Sequence, residues 1–488
     1  MKLLKIGMAS LIALGTISTV NATLKSDKVT LKNNMIVKYN KLPSSVDSIS
    51  DAFLEGIFYG RLRMNTFYWD WQNEKKNTTA KDNRAMGLGG SFIYKTAPFH
   101  GLSATAGLYT SQNPTWFREN VDDIKYLKAG KDTFSRNDTA KTGNFGMTVV
   151  AQGYLQYDIG KTSIIGGRQL FESVFTKSND TKMIPNSFDG VSLSIKDIPD
   201  TTIKLAWLAK QKLRDHTTSH DVLAFNPNDK WAENDDSAVN KNLTVARIGN
   251  NNQLDIITLT NKSIKNLKID LSYAFVPSVL SNAVAEINYA IPVGDFKIIP
   301  GIRYMQQFDN LGANYEVANL SGNQQGYKTG AKKSLDTNLL ATRLDIKTKA
   351  FLLRLAYSQV ADEADIVAPW RGFPTGGYTR AMGQYNWRAN TKTYLAKLSY
   401  DFGKANILQG FSIMGEYAIQ DFDNKKDGVQ ADNNIFHIDM RQNIGKHMQA
   451  KFRFGYSVAD DKILKSNNTS YKSDISYNEY RFELNYFF

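Results

Sequence analysis

His216 and His220, flanked by Asp215 and Asp221, have the four-residue spacing that lets one helix face present two imidazoles to a metal ion. They lie in a long polar stretch, and a real site needs a third and a fourth ligand held by structure, so they read as a solvated pair. No Gly-x-Ser-x-Gly elbow, His-Glu-x-x-His or phosphate-binding P-loop occurs, and no convincing serine and histidine pair falls on adjacent outer strands. The chain reads as a non-enzyme with no cofactor, metal or catalytic residues.

The chemistry that does recur is charge at alternate positions. Arg61, Arg63, Arg168, Lys204, Lys210, Lys268, Arg303, Arg343, Lys347, Arg354, Lys397, Arg441, Lys451, Arg453 and Arg481 fall opposite an apolar row, and Asp158, Asp270, Glu286, Asp345, Glu416, Asp439, Glu479 and Glu483 share their face. Fifteen bases against eight acids along a channel would concentrate small anions, carboxylates among them. The alternative is that the bases pair with neighbouring acids, as Arg343 could with Asp345 or Arg441 with Asp439.

Alternation of this kind needs strands, because successive side chains in a strand point to opposite faces. The last nine residues show it most plainly: Tyr480, Phe482, Leu484, Tyr486 and Phe488 share an apolar face, and Arg481, Glu483 and Asn485 the wet one. Strands of about ten residues read at 58–68, 85–95, 101–110, 145–158, 162–170, 188–196, 202–211, 254–260, 266–276, 283–291, 296–307, 336–346, 350–360, 391–402, 410–421, 433–443, 448–458 and 475–488. These eighteen are joined by alternating short turns and long polar loops such as 111–144, 212–253, 308–334 and 361–390. The expectation is an all-β transmembrane antiparallel up-and-down barrel with short periplasmic turns and long extracellular loops. Tyr68, Trp69, Trp71, Trp370 and Trp387 are expected in its interfacial aromatic girdle, with sugar-stacking platforms as the sharper alternative.

Residues 1–22 have Lys2 and Lys5, an apolar stretch too short to span a bilayer, and small residues at Val20-Asn21-Ala22, the pattern of a secretory signal peptide. Removing its two lysines takes the formal charge from +13 to +11. The bases are spread along the chain and not gathered in a patch, so no nucleic-acid partner is expected. A mean hydropathy of -0.39 suits a barrel in which only alternate residues meet lipid. With no cysteine there is no disulfide framework. Residues 23–52 are lysine-rich and weakly patterned, and read as a partly disordered periplasmic leader or partial plug; the barrel is expected over 53–488.

Several segments taken in order resemble one family: Asp51-Ala52-Phe53-Leu54-Glu55-Gly56, Gly87-Leu88-Gly89-Gly90, Phe99-His100-Gly101-Leu102, Gly167-Arg168-Gln169-Leu170 and Ile184-Pro185-Asn186-Ser187-Phe188-Asp189-Gly190. Their order and spacing resemble the OprD-type outer membrane porins, best in the first half of the chain and again in the terminal strand; no family motif is visible at about 212–260 or 308–334. The resemblance implies an eighteen-stranded barrel that passes small solutes, narrowed by inward loops and lined by a row of arginines that includes Arg168. It implies an assembly signal at Phe488. Loop 171–187 is the candidate constriction, with Phe171, Glu172, Asp180, Lys182 and Pro185 as its residues.

The expected function is passive diffusion of small hydrophilic solutes, anionic or carboxylate-bearing ones preferred. The expected partners are outer membrane lipid and lipopolysaccharide, the solutes and the barrel assembly machinery, with a homotrimer possible. The alternatives are a barrel-anchored adhesin acting through the long loops and, behind it, a barrel enzyme.

Overall fold

The computed structural model describes residues 28–488, apart from 73, 75–79, 229–241, 250–252, 313, 328–332, 383–384 and 473. The signal peptide read at 1–22 lies outside the described residues.

Eighteen antiparallel strands close a barrel. They are β1 (Ile57–Trp71), β2 (Asn83–Lys95), β3 (Leu102–Gln112), β4 (Gly146–Ile159), β5 (Thr162–Gln169), β6 (Ser187–Ile195), β7 (Thr201–Lys212), β8 (Leu254–Asn261) and β9 (Leu267–Val276). There follow β10 (Leu280–Tyr289), β11 (Phe296–Asp309), β12 (Thr337–Lys347), β13 (Phe351–Val360), β14 (Lys392–Asp401), β15 (Phe411–Asp421), β16 (Asn433–Ile444), β17 (Met448–Ala459) and β18 (Tyr477–Phe487). β10 breaks at Ala290 and resumes as Ile291–Val293, still paired with β11. Closure is by β18 on β1, from Tyr477 opposite Trp71 to Phe487 opposite Arg61. No unpaired edge is left for a bilayer to penalise.

The outer wall carries the apolar row. Leu62, Leu155, Trp207, Leu271, Ile302, Tyr304, Leu355, Leu398 and Tyr417 are all exposed on it, as a lipid-facing surface requires. Tyr357 with Tyr394 and Tyr68 with Tyr480 pair on the same side. The girdle expected of the tryptophans is not there. Trp69 turns inward and stacks on Tyr477 at 3.8 Å, and Trp370 and Trp387 are buried among the loops, where Trp370 Nε1 donates to the Val222 carbonyl at 2.6 Å.

The loops at one end fold into the lumen. Phe171 and Phe175, Val222 and Leu223, Val317 and Leu320, and Ile366, Val367 and Trp370 come from four different loops, and pack with inward residues of β6–β13 in one apolar cluster. In these segments the long connections fill the lumen.

The described part of the leader, from residue 28, forms a hairpin and a short helix. Val29–Leu31 and Val37–Tyr39 form a hairpin. α1 (Ile49–Leu54) is capped by Ser48, whose Oγ accepts the Asp51 N–H. Val46 and Ala52 of this segment pack on Ala97 and Phe99 in the turn after β2.

Candidate channel constriction

Loop 170–186, between β5 and β6, folds into the lumen and is pinned to β1. β1 turns Arg61, Arg63 and Asn65 inward by simple alternation. Arg61 Nη2 donates to Asp180 Oδ2 at 2.6 Å and Arg63 Nη1 to Asp180 Oδ1 at 3.1 Å, while Arg63 Nε donates to Glu483 Oε1 at 2.8 Å. Asn65 Nδ2 donates to the Lys182 carbonyl at 2.8 Å. The Lys182 ammonium donates to the Ala129 carbonyl and lies 4.3 Å from the Phe67 ring centre. Burial, helped by Arg481, pushes its pKa well down.

A second loop, 361–391, meets the first inside the barrel. Thr176 and Arg371 form an antiparallel bridge. The Gly372 N–H donates to the Phe175 carbonyl at 2.9 Å and the Lys177 N–H to the Trp370 carbonyl at 3.2 Å. A Cβ at Gly372 would sit 2.0 Å from the Phe175 oxygen, so only glycine allows this crossing. Further along, the Pro374, Gly376 and Gly377 carbonyls accept from Arg303, Arg343 and Arg354, and the Tyr378 ring lies 4.7 Å from the guanidinium carbons of both Arg303 and Arg343.

Between loop 170–186, the N-terminal segment and the inner face of β17, β18 and β1 a narrow cavity of about 30 Å³ remains, lined by Met35, Asn65, Thr181, Lys451, Arg453, Arg481 and Glu483. Thr181 is the half-exposed member of the loop segment whose neighbours Asp180 and Lys182 point into the wall. Three cations face it. Lys451 and Arg453 lie 3.3 and 2.6 Å from Asp439, and Arg481 pairs with Glu479.

The sequence-derived residues fall into three groups. Arg303, Arg343, Arg354, Lys397, Arg441 and Arg453 take lumen positions on β11–β17, where Lys397 pairs with Glu416 at 3.2 Å and Arg441 donates to Ser412 Oγ at 3.3 Å. Arg61 and Arg63 also turn inward, but at 1% and 3% exposure they are covered by Asp180 and line no open passage. Lys204 turns inward and donates to the Glu172 carbonyl, beneath the loop. Of the expected constriction residues, Phe171, Asp180, Lys182 and Pro185 are buried; Phe171 joins the apolar cluster and the Pro185 carbonyl accepts from Lys212.

Arg168 and Lys210 must be corrected. Arg168 is opposite Asp189, on the outward face that carries Ile164 and Val191, and it donates to Asp189 at 2.6 and 2.9 Å. The run Ile164-Ile165-Gly166-Gly167 has no alternation from which to read the face of Arg168. Lys210 is opposite the same Asp189 because the register slips at Ala209, a β-bulge that reverses the parity read along β7. Removing both leaves thirteen lumen bases against the eight acids.

The histidine pair also differs from expectation. The segment is not helical, His216 is fully buried with its ring 4.8 Å from that of His220, and burial holds its pKa well below the usual value. Among the described residues no group of three potential metal ligands forms. Met35, Thr181 and Gly372 were not identified from sequence. Asn65, by contrast, shares the strand parity of Arg61 and Arg63 and was readable from it.

Comparison with known proteins agrees with this architecture. The chain matches the family described as outer membrane porin, OprD family, over residues 129–488. Among solved structures it is similar to OccAB3 of Acinetobacter baumannii, at 15% identity and a TM-score of 0.66, covering 88% of this chain and 99% of that one. It is similar to OccK8 (OprE) of Pseudomonas aeruginosa, at 13% identity and 0.66, covering 88% and 98%. OpdK of Pseudomonas aeruginosa, solved with vanillate, is 12% identical at 0.63, covering 88% and 98%. No curated protein matches. The matched family range takes in 212–260 and 308–334, which carry no visible family motif, and leaves out the family-like segments at 51–102.

Proposed function

Because the chain belongs to the OprD family of outer membrane porins and forms an outer membrane channel for small solutes, we propose that it passes anions in preference to cations and takes carboxylate-bearing solutes. The observation that carries this reading is the cationic wall: Lys451, Arg453 and Arg481 at the constriction, continued by Lys397, Arg354, Arg343 and Arg303.

Pairing does not cancel that wall. Lys451 and Arg453 share the single carboxylate of Asp439. Arg303, Arg343 and Arg354 share Glu286 and Asp345, with contacts from 2.5 to 3.9 Å. Cations outnumber their acids, and a passage between low-dielectric walls focuses the surplus field on a permeant ion. OpdK, a structural relative, was solved with vanillate, a carboxylate. The inward packing of Phe171, Val222, Val317 and Ile366 from four loops supports a channel over an adhesin.

Reversal potentials across a planar bilayer in a salt gradient test the proposal. Anion selectivity, and stronger block of current by small carboxylates than by neutral sugars, are expected; cation selectivity overturns it.

A further inference from the structure

The hairpin Val29–Tyr39 belongs to the barrel's interior. Val29 and Val37 are buried against Tyr59, Ile93 and Phe487, inward residues of β1, β2 and β18, in a cluster that also holds Met183 and Ile184 of the constriction loop. The Tyr39 and Tyr59 rings lie 5.4 Å apart. The hairpin tip reaches loop 170–186 itself, where Asn34 Nδ2 donates to Glu172 Oε2 at 2.8 Å. Met35 then lines the same cavity as Thr181, Lys451, Arg453 and Arg481.

The tip is built at a conformational cost. Asn34 and Met35 have φ of 60° and 64°, a left-handed conformation that asparagine tolerates and methionine rarely adopts. Strain of this kind persists where surrounding contacts over-determine it, and it collects at functional sites. Behind the hairpin, residues 41–45 are largely exposed, and the chain is fastened again only at Val46 and α1 on the rim turn. The hairpin is therefore held in the lumen by its own docked face.

We propose that this hairpin is a specificity-determining element of the channel: Met35 forms the apolar wall of the constriction opposite Lys451, Arg453 and Arg481, and fixes the size of solute that passes. A solute crossing here meets cations on one side and a polarizable thioether on the other, so the passage favours a carboxylate with an apolar body over an equally sized polyhydroxylated acid. This inference rests on the channel reading above.

The absence of cysteine supplies the test, because a cysteine placed at Met35 is the only thiol in the chain. Single channels of the full-length Met35→Cys protein, already conducting in a planar bilayer, are exposed to a small anionic methanethiosulfonate. A stepwise fall in conductance by about half or more is expected, since added bulk and charge at a constriction act on every passing ion. A Met35→Gly variant, which suits the positive φ, should raise conductance and admit larger solutes in liposome swelling. Unchanged conductance in both variants of a channel that conducts as wild type overturns the role of Met35 while leaving the channel intact. A wild-type protein that never conducts overturns the channel reading and this inference with it.

Discussion

Asp180 is the residue through which loop 170–186 is tied to β1: its two carboxylate oxygens accept from Arg61 at 2.6 Å and from Arg63 at 3.1 Å, and all three side chains are all but inaccessible to solvent. Glu483 also takes Arg63, so the loss of Asp180 falls chiefly on Arg61. Losing one partner of a buried ion pair strands the other charge and costs about 3–5 kcal/mol. Asp180→Asn should therefore free the loop from the wall, giving higher and noisier single-channel conductance and a lower unfolding temperature. Wild-type conductance and melting together would show that the loop is held elsewhere.

Gly372 sets the distance between the two constricting loops. Its N–H reaches the Phe175 carbonyl at 2.9 Å, and a methyl group there would collide with that oxygen. Gly372→Ala should separate the loops and raise conductance, with a modest loss of stability because the barrel strands are untouched. The measurement is single-channel recording beside heat-modified mobility of the folded barrel; a conductance equal to wild type would sink the idea.

The barrel was legible in the sequence and the constriction only in part, and particular residues show why. Arg343 lies between Thr342 and Leu344 on a strand whose outward residues include Leu340, so its face follows from parity alone. Arg168 follows a glycine pair with no alternation, and Lys210 follows a bulge, so parity gives the wrong face for both. The pairing of Asp180 with Arg61 joins residues 119 positions apart. No local period encodes such a contact, since it depends on where a loop lands after the barrel has closed. The N-terminal hairpin is a similar case, because its short strands gain their burial only from a lumen built by the rest of the chain.

The final residue should matter for assembly more than for conduction. Phe488 packs outward on Phe58 and Phe92, with ring centres 5.6 and 6.0 Å away, and its backbone exchanges hydrogen bonds with Gly60 at the seam where the barrel closes. It does not line the cavity at Lys451 and Arg453. Deleting Phe488 should sharply reduce the folded, heat-modifiable protein recovered from outer membranes, while the molecules that do fold conduct as wild type. Full recovery of the deletion variant would refute this.

Acid should loosen the loop that carries His216. Its imidazole is buried with His220, Lys212, Arg371 and Arg136 around it, and the Asp215 carboxylate lies at 3.6 Å. Burial first, and these positive neighbours second, hold the folded-state pKa well below the ordinary value of about 6.5. The closed loop thus holds the ring neutral, whereas an opened loop would let it take up a proton. A group whose folded pKa is depressed contributes stability that is fully present above the unfolded pKa and is lost as pH falls below it. Hydrogen exchange of residues 213–224, corrected for the intrinsic pH dependence of exchange, should be slow near pH 7.5 and faster near pH 5.5, values chosen about one unit either side of that ordinary pKa. His216→Leu should abolish the difference, because it keeps an apolar side chain in the site and removes the proton acceptor. Equal protection at both values in the wild type would mean that the buried ring is not linked to opening.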